Sequence, residues 1–254
     1  MINIFKSFRI FTRFIRTNYY FINNKKISLK HLGYGQLSNE RSIEMKNLLN
    51  NQIDSFIKSE RELFVLLEVG SYLGESLEIY GEILSRRLKD NYLIISVDPY
   101  GLYVNRSMDL IYMYFINNIS KKKFRNNFTH LRMDSIKGFN LLKKLNIQLD
   151  FCYLDGSHYY KDIKFEIENF NKILVNTSNY NGSLCGDDCE ISYERLIDVV
   201  DKDKADNFLS ECENIDFVNN FDNKNINFHP GVTLAIKESS IPIDVSRSGF
   251  WYKT

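Results

Sequence analysis

The stretch Leu66-Leu67-Glu68-Val69-Gly70-Ser71-Tyr72-Leu73-Gly74-Glu75-Ser76 reads as a strand, a glycine turn and the start of a helix. An apolar run ends in one acidic residue, and two glycines precede a helical pattern. Gly70 and Gly74 carry no Cβ, so a ligand can come close to the backbone. The next helix offers unpaired N–H groups to that ligand. Taken alone, such a turn suits many nucleotide-like molecules.

Outward from this turn the same pattern repeats. Tyr92 to Val97 is rich in Ile and Val, fits a strand buried on both faces and stops at Asp98-Pro99. Phe128 to Met133 runs into Asp134, Leu149 to Leu154 into Asp155-Gly156, and Gly182 to Gly186 into Asp187-Asp188. Helical patterns lie between these runs, and another, opened by Asn39-Glu40-Arg41-Ser42, precedes the first strand. Beyond Asp188, Ser192 to Cys212 is helical in pattern, strand-like sequence surrounds His229-Pro230-Gly231-Val232-Thr233-Leu234, and Gly249 to Lys253 suits a final strand. The expectation is an α/β fold: a doubly wound, mostly parallel sheet of seven strands, closed by an antiparallel pair, with helices on both faces. Ligands of such sheets bind beyond the carboxyl ends of the strands. Glu68, Asp98, Asp134, Asp155, Asp187 and Asp188 all fall at or just after those ends, which predicts one acidic cleft.

Composition sets the frame. At 254 residues, with 44% hydrophobic and 26% charged, the chain is long enough for one such domain with an extension. The division expected is a basic N-terminal helical extension at 1–59 and the main domain at 60–254. Cys152, Cys185, Cys189 and Cys212 are too few and too irregular for a disulfide scaffold, so core thiols and a cytoplasmic setting are expected. The net charge of +1 hides an asymmetry: Met1 to Asn39 has no acidic residue but holds Lys6, Arg9, Arg13, Arg16, Lys25, Lys26 and Lys30. Ile4, Phe8, Phe11 and Ile15 recur there at helical spacing, with Phe5 and Phe14 widening the stripe. Such a helix can lie on an anionic membrane surface or, more plainly, pack on the domain or on a second subunit of a homo-oligomer. No apolar run is long enough to span a bilayer. The Lys121-Lys122-Lys123 run reads as a solvated helix end, and no nucleic-acid partner is expected.

Two blocks make the reading specific. Glu68-Val69-Gly70-Ser71-Tyr72-Leu73-Gly74 resembles the Glu/Asp-x-Gly-x-x-x-Gly pattern of class I S-adenosylmethionine-dependent methyltransferases. Tyr153-Leu154-Asp155-Gly156-Ser157-His158, followed by Gly186-Asp187-Asp188, resembles the metal-dependent sugar O-methyltransferases of macrocin and mycinamicin type and their cephalosporin-hydroxylase-like relatives. The resemblance spans roughly residues 60 to 237. It implies S-adenosylmethionine held by Glu68, Gly70, Ser71, Tyr72 and Gly74 on the methionine side, by Asp98 at the ribose, by Asp134 and Ser135 at the adenine, and bordered by Asp155. It also implies Mg2+ or Mn2+ on Asp155, Asp187 and Asp188, His158 as general base, and a small-molecule or glycan-precursor acceptor. Plainer readings stand beside these: Gly70 as a packing glycine, Asp98 and the paired acids as helix caps, His158 as a residue that only orients a ligand. His229 is a weaker pocket candidate, and Tyr103, Arg106, Glu190, Tyr193 and Arg195 are candidate specificity residues. An NAD-dependent oxidoreductase fits less well, since the glycines are spaced Gly-x-x-x-Gly and not Gly-x-Gly-x-x-Gly. A non-catalytic cofactor-binding scaffold at a membrane surface is the remaining alternative.

Overall fold

The apolar runs become strands because helices cover both of their sides. In the computed structural model the described residues are 16–32, 38–101 and 106–254, with the backbone alone at 106 and 107. The first elements are α1 (16–22), α2 (Leu29–Leu32), α3 (Asn39–Ile57), β1 (Phe64–Val69), α4 (Glu75–Leu88) and β2 (Tyr92–Val97). Next come α5 (Arg106–Ile119), β3 (Phe128–Leu131), α6 (Ser135–Lys144), β4 (Phe151–Leu154), α7 (Tyr160–Phe170) and β5 (Ser183–Gly186). The remainder is α8 (Tyr193–Val200), α9 (Lys202–Glu211), β6 (Val218–Phe221), β7 (Ile226–Phe228), α10 (Pro230–Lys237), β8 (Ile243–Val245) and β9 (Trp251–Lys253).

Seven strands form one sheet in the order β3-β2-β1-β4-β5-β9-β8. The first five are parallel, and β9 and β8 close the sheet antiparallel. Every residue of β1 is buried. Its Phe64 and Leu66 pack with Met45, Leu49 and Leu84 from α3 and α4, while Val65, Leu67 and Val69 pack with Phe139, Leu142, Ile163 and Ile167 from α6 and α7. This two-sided burial is what the unbroken apolar runs require. The α/β expectation of a mostly parallel seven-stranded sheet therefore holds, and all four cysteines are buried and free.

Two expectations change. The stretch around His229 to Leu234 is not a strand: Pro230 to Lys237 form α10, with Pro at the helix start, and Ile226–Phe228 alone pairs with β6 in a separate two-stranded sheet. Proline presets a helical φ and needs no hydrogen bond at that position. Pro230 through Ala235 are all buried. An apolar run without a polar face cannot reveal its period. The helical pattern from Ser192 to Cys212 is two helices, broken at Asp201, whose φ of 83° and ψ of 157° interrupt the turn.

The stripe of Ile4, Phe8, Phe11 and Ile15, with Lys6, Arg9 and Arg13, lies outside the described residues, as does Tyr103. The segment leading from the stripe to α2 is docked on the domain. Ile27 is buried with Leu73 and Tyr114, and the Asn118 amide binds both the N–H and the carbonyl of Ile27 (2.9 and 2.7 Å) and the carbonyl of Leu73 (3.0 Å). Among the described residues no helix is long and apolar enough to cross a membrane.

Candidate active site

At the carboxyl end of β1 the chain enters the glycine turn with Gly70 at φ +85°. A Cβ on Gly70 would stand 2.0 Å from the Asp155 carbonyl oxygen, so the glycine is needed for close packing of the turn on the end of β4. Asp98 secures the turn from the other side. Its Oδ2 accepts from the backbone N–H of Ser71 and Tyr72 (3.0 and 3.1 Å), and its Oδ1 from Tyr100 (3.0 Å). About one of a carboxylate's four acceptor sites is then left for a ligand. Burial pushes the Asp98 carboxyl up, against the pull of those three N–H donors.

Glu68 lies below the turn, fully buried, where it accepts from the Ser76 hydroxyl while its Oε2 has no hydrogen-bond partner among the described residues. Burial pushes its pKa up to about 8. Asp134 caps α6, accepting from the N–H of Lys137 at 2.8 Å. Ser135 begins that helix.

Two cavities meet over this edge. One of about 440 Å³ is bordered by Ser71, Glu75, Ser76, His158 and Asp188. The other, of about 410 Å³, is bordered by Asp98, Asp134, Ser135 and Glu166. Gly70, Tyr72, Asp155 and Gly156 border both, so the two cavities adjoin along the glycine turn and the β4 end.

The acids at the ends of β4 and β5 come together around side chains from distant parts of the chain. Arg41, in the first turn of α3, places one guanidinium nitrogen 2.8 Å from Asp187 Oδ1 and 2.9 Å from Asp188 Oδ1. The ring of His158 lies between two carboxylates, with Nε2 3.0 Å from Asp188 Oδ2 and Nδ1 3.1 Å from Asp216 Oδ1. His229 contacts Glu190 at 3.0 Å and packs on His158, with ring centroids 4.2 Å apart. The Tyr153 hydroxyl stands 3.5 Å from both Asp155 and Asp187. Asp155, His158 and Asp188 can each turn a ligand atom to within 4.8 Å of the others.

Electrostatics sort these groups. Burial and the neighbouring Asp188 and Asp187 push the Asp155 carboxyl well above the usual range. Asp187 is pushed to about 7 by burial and by Asp188, against Arg41. Burial also acts on Asp188, but His158, His229 and Arg41 overcome it and hold the group at about 2. For His158 burial favours the neutral ring, and Asp188 and Asp216 outweigh it, so its pKa is raised.

Arg41 and Asp216 are site residues that sequence reasoning did not single out. A cation in the first turn opposes the helix dipole, and that misfit was the available signal for Arg41. Asp216 sits ahead of the short β6, in sequence without periodicity, and gave none. Of the specificity candidates, Glu190 reaches the site, whereas Tyr193 turns its hydroxyl to Asp206 (2.9 Å) and its ring to Lys237. Asp188 itself has a φ of 62°, a left-handed conformation that non-glycine residues adopt at a cost and that often marks functional sites.

Comparison with known proteins agrees with this geometry. Residues 67–189 match a family described as a methyltransferase domain. No curated protein sequence matches the chain. Among solved structures, CalS11, a TDP-rhamnose 3'-O-methyltransferase of calicheamicin biosynthesis in its apo form, is similar at 12% identity and a TM-score of 0.50, over 95% of this chain and 92% of that one. Cofactor-bound Rv0187 from MTB is similar at 10% identity and a TM-score of 0.51, over 95% of this chain and 89% of that one. At these identities the likeness is one of fold. The matched domain and the strand order both agree with the resemblance to class I S-adenosylmethionine-dependent methyltransferases.

Proposed function

We propose that this methyltransferase transfers the methyl group of S-adenosylmethionine to a hydroxyl oxygen of a sugar or polyol-like small molecule, such as a glycan precursor, with Mg2+ or Mn2+ beside the acceptor. The observation that carries this reading is the meeting of Asp155, His158 and Asp188 on a cavity that the glycine turn also borders.

The donor set suits such a cation. Asp155 and Asp187 are driven toward their protonated forms by burial and by the charge of Asp188, and a divalent ion among the three would take the place of those protons and relieve the repulsion. Asp155 and Asp188 offer hard oxygen ligands. Asp187 has one oxygen bound to Arg41 and to the N–H of Asp188, and contributes its second. When bound, the cation would acidify and position the acceptor hydroxyl, and the sulfonium would supply a methyl group that needs no activation by the protein.

The remaining chemistry belongs to the chain. Asp98 holds the turn that shapes the donor site, and Asp134 and Ser135 border its far end. Asp216 holds the His158 ring through Nδ1 and Asp188 holds it through Nε2, and with Asp188 turned to the cation Nε2 would be the atom that takes the acceptor proton. Residues 60–254 form the catalytic unit in this reading, and 1–59 an extension that adds Arg41 to the site.

Calorimetric titration with S-adenosylhomocysteine should show binding that Asp98→Ala removes. A Mn2+ titration should show a site that Asp188→Ala weakens by about tenfold or more. Methyl transfer to sugar nucleotides that continues unchanged in chelator would overturn the metal assignment.

A further inference from the structure

Glu166 has no part in that scheme, yet its position in the fold is costly. On α7 the buried stripe is Ile163, Glu166, Ile167 and Phe170, so an acid occupies a place where helices of this kind put apolar side chains. Glu166 is 1% exposed. The Ser135 hydroxyl pairs with it, and its Oε2 has no hydrogen-bond partner among the described residues. An unsatisfied buried polar atom costs about 1–3 kcal/mol. A leucine there would avoid that cost.

The location suggests what offsets it. Glu166 borders the 410 Å³ cavity together with Asp98, Asp134 and Ser135. Gly156 stands between the acid and the turn, and even a Cβ on it would lie 3.7 Å from Glu166 Oε1. The charged groups acting on Glu166 are Asp162 and His158, with opposite signs, and no Lys or Arg pairs with it among the described residues. Burial pushes its pKa up to about 8, so at neutral pH it is mostly the uncharged acid, one O–H donor beside one acceptor.

We infer that Glu166 reads the purine of the methyl donor, its carboxyl accepting from the exocyclic amino group of adenine and donating to the adjacent ring nitrogen. The adenine edge presents a donor beside an acceptor, and the acid presents the complementary pair. The inference rests on reading this cavity as the donor site.

The test compares S-adenosylhomocysteine with its analogue lacking the 6-amino group, by calorimetry on the full chain. Wild type should prefer the amino compound by about tenfold or more, because the analogue leaves the buried acid unpaired. Glu166→Leu should bring the ratio to about one, while Glu166→Gln, which keeps one donor and one acceptor, should preserve it. Equal affinities in wild type, or a preference undiminished in Glu166→Leu, would overturn this inference alone. Binding of neither compound to wild type would overturn the donor-site reading and the inference with it. Should the leucine variant not fold, Glu166→Ala reads the same ratio, with loss of the preference expected and its persistence overturning the inference.

Discussion

Glu68 and Asp188 are both acids beside the same cleft, and their surroundings send them in opposite directions. Asp188 meets His158, His229 and Arg41 and stays ionised down to about pH 2. Glu68 meets only hydroxyls and the repulsion of Asp98 in a fully buried place, and holds its proton to about pH 8. For Glu68 the sign of the stability effect is set by proton uptake. Between its ordinary value of 4.5 and about 8 the folded state binds a proton that the unfolded chain has lost, so stability falls as pH rises across that window. Glu68→Gln imitates the protonated acid and should remove this part of the slope. Thermal midpoints taken across the window should fall less steeply in the variant than in wild type; parallel curves would show that Glu68 is ionised in the fold.

At the scale of elements, the joint between α8 and α9 is the strained one. Asp201 sits at φ 83°, ψ 157°, a region that is nearly glycine's alone and costs other residues about 1–3 kcal/mol. The same residue caps α9 by accepting from the N–H of Lys204 at 2.8 Å. Replacing an aspartate cap by glycine loses only a few tenths of a kcal/mol. Asp201→Gly should therefore stabilise the protein by about 1 kcal/mol in urea unfolding, and Asp201→Ala, which loses the cap and keeps the strain, should destabilise it. The five parallel strands were legible because each is an apolar run stopped by an acid, a pattern set by two-sided burial and by the cleft beyond. The Asp201 break and the Pro230 helix were not, since one depends on a backbone conformation that aspartate rarely adopts and the other on burial from every side. Asp98 was found as an acid at a strand end, but its grip on the Ser71 and Tyr72 amides depends on how the turn folds back, which no spacing encodes.

At the scale of the molecule, the matched segment 67–189 does not complete the site. Arg41 comes from before it, and Asp216 and His229 come from after it. The two ends of the chain are also tied to each other there: Arg41 Nε donates to the Ser248 carbonyl at 2.7 Å, the Ser246 hydroxyl donates to Glu44 at 2.9 Å, and the Cys189 N–H donates to the Gly249 carbonyl at 3.0 Å. On the last strand, Trp251 lies over Gly186, where a Cβ would come 2.3 Å from its ring, and its indole N–H donates to the Asp187 carbonyl at 3.1 Å.

Trp251 is the chain's single tryptophan. The protein's indole emission is therefore a signal from the wall of the acid cluster, present without any label. Paramagnetic Mn2+ entering beside Asp155 and Asp188 should quench that emission in proportion to occupancy, and diamagnetic Mg2+ competing for the same place should restore it. Emission indifferent to both ions at millimolar concentration would mean that the cluster takes up neither of them.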